Sequence, residues 1–126
     1  MVDTLGLIWG ICITSGNTSE AAGAKKLLLK VQDALARWEV IWVDGGFEHR
    51  LEKWVEARYP FRVEVVKRSD GKKGWELLPK RWVSERTFGW LGRWRALARE
   101  YDYRSETTEA NILLAMTHLM LRRLTV

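Results

Sequence analysis

The sequence has few of the residues that build disulfide-stabilised or zinc-binding domains. It contains one cysteine, Cys12, and two histidines among 126 residues. A disulfide framework and a cysteine-rich zinc site are therefore excluded. The longest apolar run, residues 5–13, is shorter than the ~20 residues that cross a bilayer, and the amino terminus lacks a signal-peptide pattern. These absences predict a cytoplasmic protein that makes no use of a membrane.

The composition is that of a folded chain with a modest excess of positive charge. Apolar residues make up 47% and charged residues 29% of the sequence, which is typical of a globular protein and not of a disordered tail. The length predicts a single domain, residues 1–126. Its 21 Lys and Arg against 16 Asp and Glu give a net charge of +5, which favours anionic partners without specifying one.

The apolar pattern of the first half alternates between strands and helices. Residues 7–14 are apolar on both faces and predict a covered central strand, after a tight turn at 4–6. Thr18 or Ser19 is suited to cap a helix whose apolar stripe, at helical spacing, runs from Ala24 to Trp38. Residues 39–43 predict a second short buried strand.

The second half continues this alternation. Residues 68–73 resemble a basic turn, and 75–78 fit no single element. The alternation predicts an α/β fold with helices on both faces of the sheet. The expected elements are a helix at 47–58, a strand at 61–67, a long helix from Pro79 to about Tyr101, and a buried last helix at 109–124 capped by Thr107 or Thr108.

Asp44 is the first candidate functional residue. It ends a predicted strand and is followed by Gly45 and Gly46, at the edge where α/β sheets place ligand-binding groups. Glycines at such a place let a phosphate approach the backbone closely. An ordinary Asp-Gly turn explains the same residues, and on position alone it is the simpler interpretation.

Glu85 is the second candidate, on the predicted long helix. Steps of about 100° per residue place it opposite an apolar stripe that includes Thr87 and Trp90, and on the same side as Gly89 and Gly92. Each glycine costs the helix ~1 kcal/mol relative to alanine, so a closely approaching partner would explain both. Arginines beside this face suit a phosphodiester backbone. An ordinary solvated face explains the helix as well and, taken alone, is the simpler interpretation.

Tryptophan is abundant, with eight residues. Most of them lie at core spacing and are interpreted as packing residues: Trp38, Trp42, Trp54, Trp90 and Trp94. Trp75 and Trp82 flank Lys80 and Arg81, a mixture of aromatic and basic side chains that could stack on an exposed base.

The stretch LLPKRWVSERTFGWLGRWRALAREY, residues 77–101, carries a family resemblance. It resembles the C-terminal signature of bacterial insertion-sequence transposases of the DDE type, in the four/five superfamily. Arg81 and Glu85 match the family's arginine and its last catalytic acid, and Asp44 then corresponds to the second catalytic acid. The segments VDTLGL, WVDGGF and TEANILLAMTHLMLRRL resemble the family in the same order.

The resemblance implies a fold, an activity and a set of site residues. The expected fold is a partial ribonuclease H-like α/β fold, a mixed sheet flanked by helices, lacking the first strand. The expected activity is DNA transposition by metal-dependent phosphodiester hydrolysis and strand transfer, with Asp44 and Glu85 as catalytic Mg²⁺ ligands. The expected partners are transposon ends and target DNA, and a homodimer is a further expected possibility. The DNA contacts implied on the arginine-rich helix 80–99 are Lys80, Arg81, Arg86, Arg93, Arg95 and Arg99.

Several departures from the family pattern bear on activity. The family's first catalytic Asp lies upstream of the VDTLG segment, and Asp3 does not occupy its position. The chain is therefore expected to be an N-terminally truncated part of the catalytic domain, with weak or absent Mg²⁺ binding and with enzymatic activity left open. Leu78, Gly92 and Ala96 also replace residues typical of the family. A non-catalytic basic nucleic-acid-binding domain and an inactive relic fragment are the alternatives.

The apolar stripe of the long helix lies opposite Glu85, which poses a geometric problem. If that stripe packed on the sheet, Glu85 would point away from Asp44. We therefore expect the last helix to cover most of the stripe.

Overall fold

A computed structural model of the chain describes residues 1–47, 49–67, 79–99 and 102–125. The chain divides into two compact units. One comprises Met1–Thr14 and Val83–Val126, and the other Ser15–Trp82. The helices and strands that lie within the described residues are α1 (Glu20–Val31), β1 (Val40–Asp44), α2 (His49–Glu56), β2 (Arg62–Val66), α3 (Pro79–Leu91) and α4 (Ser105–Leu124).

A parallel pair of strands organises the unit 15–82. β1 and β2 align with Val40 opposite Arg62 and Asp44 opposite Val66, and α2 connects them. Parallel neighbours need such a crossover, usually a helix. The predicted α/β class is confirmed, and both strands and α2 lie within one or two residues of their predicted bounds. The ribonuclease H-like arrangement and the single domain 1–126 stay predictions.

The core of this unit lies between the helices and the strand pair. Its buried side chains are Leu28, Leu35, Leu51, Val55 and Phe61. Phe61 stacks on Tyr59, with ring centroids 5.0 Å apart and planes 14° apart. Burial of these apolar groups is the main stabilising contribution to the unit.

Helix α1 begins as predicted and ends earlier than predicted. The hydroxyl of Ser19 accepts a hydrogen bond from the Ala22 amide at 3.2 Å, which is the expected cap. After Val31 the chain tightens into a 3₁₀ turn at Gln32–Ala34, so the predicted continuation to Trp38 is wrong. Leu35 is nevertheless buried. A 3₁₀ turn still directs this apolar side chain into the core, although the α-helix has ended.

The predicted covered strand at residues 7–14 is wrong. An isolated antiparallel bridge joins Val2 and Ile8. The Asp3 carboxylate accepts hydrogen bonds from the Leu5 and Leu7 amides, both at 2.9 Å, and this local loop competes with a strand ladder. Trp9 is 47% exposed, so the segment is not covered as expected.

A buried hydrogen bond ties this loop to α3. Gly6 has φ +81°, a conformation that favours glycine, and its carbonyl accepts a bond from the Thr87 hydroxyl at 2.7 Å. A Cβ at Gly6 would lie 2.9 Å from that hydroxyl oxygen. The loop and α3 are therefore fitted closely together at Thr87, two residues after Glu85.

Replacing Thr87 with valine is expected to destabilise the protein by about 1–3 kcal/mol, because the Gly6 carbonyl would stay buried without its donor. Urea unfolding followed by circular dichroism measures this loss. Thr117→Val is the matched control, since that exposed hydroxyl bonds only its own helix, at Leu113 O. Equal losses in the two variants would contradict the assignment.

Helix α3 is shorter than the sequence predicts. It ends at Leu91, where the Arg93 and Trp94 amides bond the carbonyls three residues earlier, at 3.2 and 2.9 Å, and a separate 3₁₀ turn follows at Arg95–Leu97. Gly92 stands at this end, where a residue without Cβ readily leaves the helix. The expected arginine-rich helix 80–99 is therefore wrong beyond Leu91, and Arg93, Arg95 and Arg99 share no helical face with Glu85.

Helix α4 is longer and more exposed than predicted. It begins at Ser105 after Arg104 in the capping position, so neither Thr107 nor Thr108 is the cap. Its buried residues are Thr108, Ala115 and Met116, whereas its large exposed apolar residues are Leu113, Leu114, Met120, Leu121 and Leu124. The predicted burial on nearly all sides is wrong. In the described ranges no helix is both long and apolar enough to span a membrane.

The tryptophans divide between packing and surface. Trp38, Trp54, Trp90 and Trp94 are half-buried, as expected of packing residues. Trp42 is 37% exposed, so its assignment to the core is wrong. Trp82 is exposed; Trp75, the basic turn and residues 75–78 lie outside the described residues.

Candidate active site

Asp44 lies where the sequence places it, at the carboxyl end of β1. Its side chain is exposed, and its Oδ1 accepts a hydrogen bond from the Gly46 amide at 3.2 Å. The Phe47 amide bonds the Asp44 carbonyl at 3.3 Å, which closes the turn. One carboxylate oxygen is thus fixed by the backbone, and the group faces solvent at a strand end, as a ligand-binding acid in an α/β unit does.

A second carboxylate shares this end of β1. An ideal Cβ built on Gly46 would lie 3.4 Å from Asp44 Oδ1 and in direct collision with the carboxylate of Glu20. Glycine at this position therefore lets Glu20, in the first turn of α1, reach the space beside Asp44. Sequence reasoning missed Glu20, because an acid in the first turn of a helix, 24 positions from Asp44 along the chain, carries no sign that the two lie close together.

Glu85 lies in the middle of α3 with its side chain exposed. Gly89 follows one turn later on the same side, and the position of its missing Cβ has no neighbouring atom within 4 Å in the described part of the chain. Asp44 belongs to the unit 15–82 and Glu85 to the other unit. Each acid is described within its own unit, so their approach to each other stays a prediction.

Among the described residues, metal-ligating side chains form no large cluster. Within residues 1–47, 49–67, 79–99 and 102–125, no group of three or more His, Cys, Asp or Glu side chains could hold a metal ion. The pair formed by Asp44 and Glu20 is smaller than that. Any metal held there would need ligands from elsewhere.

Lys80 is engaged by the strand pair. Its Nζ lies 4.0 Å from the centre of the Trp42 ring and 3.8 Å from Glu64 Oε2. Trp42 and Glu64 are register partners on β1 and β2, and the indole N–H donates to Glu64 at 2.8 Å. This bond, with that from Arg62, holds the pKa of the Glu64 carboxyl below its usual range. Glu64 thus offsets part of the Lys80 charge, and the DNA contact of Lys80 stays a prediction.

The other predicted DNA contacts differ in their surroundings. Arg81, Arg93, Arg95 and Arg99 are exposed. Arg86 is half-buried, and its guanidinium carbon lies 5.2 Å from the centre of the Trp90 ring. The guanidinium carbon of Arg123 from α4 lies 4.5 Å from the same centre. Sequence reasoning missed this contact of Arg123.

The last helix does cover part of the apolar stripe of α3. Besides the Arg123 contact with Trp90, the His118 ring lies 5.6 Å from the Trp94 ring. Thr87, also on the stripe, is buried. These contacts cover part of the stripe, so the expectation that α4 covers most of it stays a prediction; the Glu85 side chain itself is exposed.

Comparison with known protein families matches these features to one class of protein. The profile described as "Transposase DDE domain" matches residues 1–120. The chain belongs to this transposase family, so the resemblance found in residues 77–101 is confirmed. The family acts in transposition on DNA and is generally Mg²⁺-dependent. Neither the curated proteins nor the solved structures gave a significant match.

Proposed function

We propose that Asp44 and Glu85 are two carboxylates of a DDE site that acts in DNA transposition by metal-dependent phosphodiester hydrolysis and strand transfer. The observation that carries this proposal is the position of Asp44. It stands exposed at the carboxyl end of a parallel strand, within a chain that the transposase profile matches over residues 1–120. The exposed Glu85 on α3 supports the second assignment.

The donor set at Asp44 fits a hard divalent cation. Mg²⁺ prefers oxygen ligands and is usually bound by one or two carboxylates together with substrate phosphates. Asp44 and Glu20 bring two carboxylates to one space beside Gly46. Asp44 and Glu85 would hold the ion, which when bound supplies activation of the attacking oxygen and stabilisation of the leaving oxygen.

The protein's own groups orient and attract the DNA. The Gly46 amide fixes Asp44 Oδ1, so the carboxylate need not be reoriented when a ligand arrives. Exposed arginines attract the phosphate backbone by charge, without reading sequence. Three of them follow the end of α3 rather than continuing it: Arg93, Arg95 and Arg99.

The proposal is tested by nicking of supercoiled plasmid with Mg²⁺ or Mn²⁺. Nicking by the unmodified chain is expected to be slow, in line with the weak Mg²⁺ binding expected from its sequence, and to occur only with metal. Glu85→Gln is expected to lower the rate at least ~100-fold, because it removes a charged metal ligand. Glu106→Gln, an exposed glutamate on α4, is the matched control and should keep the rate.

Metal-dependent nicking that survives Glu85→Gln would overturn the assignment of that residue. DNA binding by the unmodified chain without any nicking would instead favour the non-catalytic nucleic-acid-binding module. The exposed arginines are the observation that favours this second function.

A further inference from the structure

We propose that Arg86 and Arg123 form a phosphate-binding pair around Trp90 that grips the sugar-phosphate backbone of duplex DNA. The inference rests on the proposed function, since DNA is the partner that function supplies. The inference adds Arg123, from the last helix, to the proposed DNA-binding surface. In it, Trp90 positions the guanidinium groups of both arginines.

The geometry of the pair points to an anion. Both guanidinium carbons lie about 5 Å from the centre of one indole ring, at 5.2 Å for Arg86 and 4.5 Å for Arg123. Two like charges held by one ring lie within about a Debye length of each other at 0.1 M salt. Their repulsion is relieved when a negative group binds beside them.

In the described part of the chain, one donor of the pair lacks a partner. Arg86 Nε is buried and has no hydrogen-bond partner. Across the described ranges, neither guanidinium has a carboxylate within 4.0 Å. A buried donor without a partner is unfavourable, and contact with an aromatic face leaves the N–H groups at the guanidinium edge able to donate.

A phosphodiester is the group that matches this arrangement. Its two non-bridging oxygens accept paired N–H donors from a guanidinium, in the planar geometry that arginine offers. The net charge of +5 favours a polyanion over an isolated anion. Arg123 is exposed at the end of α4, so a duplex can reach it.

The test is the salt dependence of duplex binding, measured by fluorescence anisotropy in EDTA. Because no metal is present, failure of the Asp44 and Glu85 site leaves this result unaffected. Arg123→Gln is expected to weaken binding severalfold and to reduce the slope of log affinity against log salt by about one. Arg123→Lys should keep the slope, because it keeps the charge. It should still bind DNA less tightly, because lysine lacks the planar guanidinium group that forms paired hydrogen bonds.

Arg122→Gln is the matched control, since it removes the same charge from the neighbouring exposed position. Its slope should stay close to that of the unmodified chain. Equal effects of Arg122→Gln and Arg123→Gln would overturn the proposal, because the charge would then act without the Trp90 contact. Absence of duplex binding at low salt would overturn it as well.

Discussion

Asp44→Asn is expected to abolish metal-dependent plasmid nicking, with a rate loss of at least ~10²–10³-fold, and to leave the protein folded. Asparagine keeps an oxygen that can accept the Gly46 amide, so the turn after β1 is retained. It removes the negative charge that a divalent ion requires. The nicking rate and a thermal melt by circular dichroism, recorded on the same preparation, measure the two effects.

Asp33→Asn is the matched control for this prediction. Asp33 is exposed and belongs to the same unit as Asp44, so it tests the loss of one acidic charge away from the strand end. Nicking that persists in Asp44→Asn would remove Asp44 from the site. A loss accompanied by unfolding would show a structural role instead.

Phe61→Ala is expected to give the largest loss of stability, about 3–5 kcal/mol. The Phe61 side chain is 2% exposed, and its ring is stacked on Tyr59 and lies 6.4 Å from the Trp38 ring. Truncation would leave a cavity among side chains that cannot close fully around it. Guanidinium unfolding followed by circular dichroism measures the change.

Phe88→Ala removes the same side chain from an exposed position on α3. Because Phe88 is 72% exposed, this variant should lie within about 0.5 kcal/mol of the unmodified chain. A loss at Phe88 as large as that at Phe61 would contradict the assignment of the core.

The elements best predicted from sequence are short and sharply bounded. Strand β1 ends at the glycines after Asp44, and α2 ends before Pro60, so local residues alone mark these ends. The alternating pattern at 61–67 was enough to place β2.

The elements predicted wrongly depend on competing local bonds or on distant partners. The Asp3 carboxylate accepts hydrogen bonds from two amides at the start of the segment predicted as a strand. After Leu91 the backbone amides bond carbonyls three residues earlier, so the α-helix does not continue. The exposure of α4 depends on what packs against it. Apolar periodicity shows that a helix can bury a face and does not show whether it does.

The candidate site was predicted in part. The strand end predicts Asp44 and the resemblance in residues 77–101 predicts Glu85, and the roles of both stay predictions. Glu20 beside Asp44 and Arg123 beside Trp90 arise from contacts between segments far apart in sequence. No local pattern marks such contacts, so sequence reasoning could not find them.

The most direct test of the central claim is Mn²⁺ binding in the presence of duplex DNA, measured by electron paramagnetic resonance. The claim is that Asp44 and Glu85 hold one metal site. Asp44→Asn and Glu85→Gln should each weaken Mn²⁺ binding at least ~10-fold, and the double variant should lose less than the two single losses combined, because ligands of one site are coupled. Losses that add fully in the double variant, or Mn²⁺ affinity unchanged in either single variant, would contradict it.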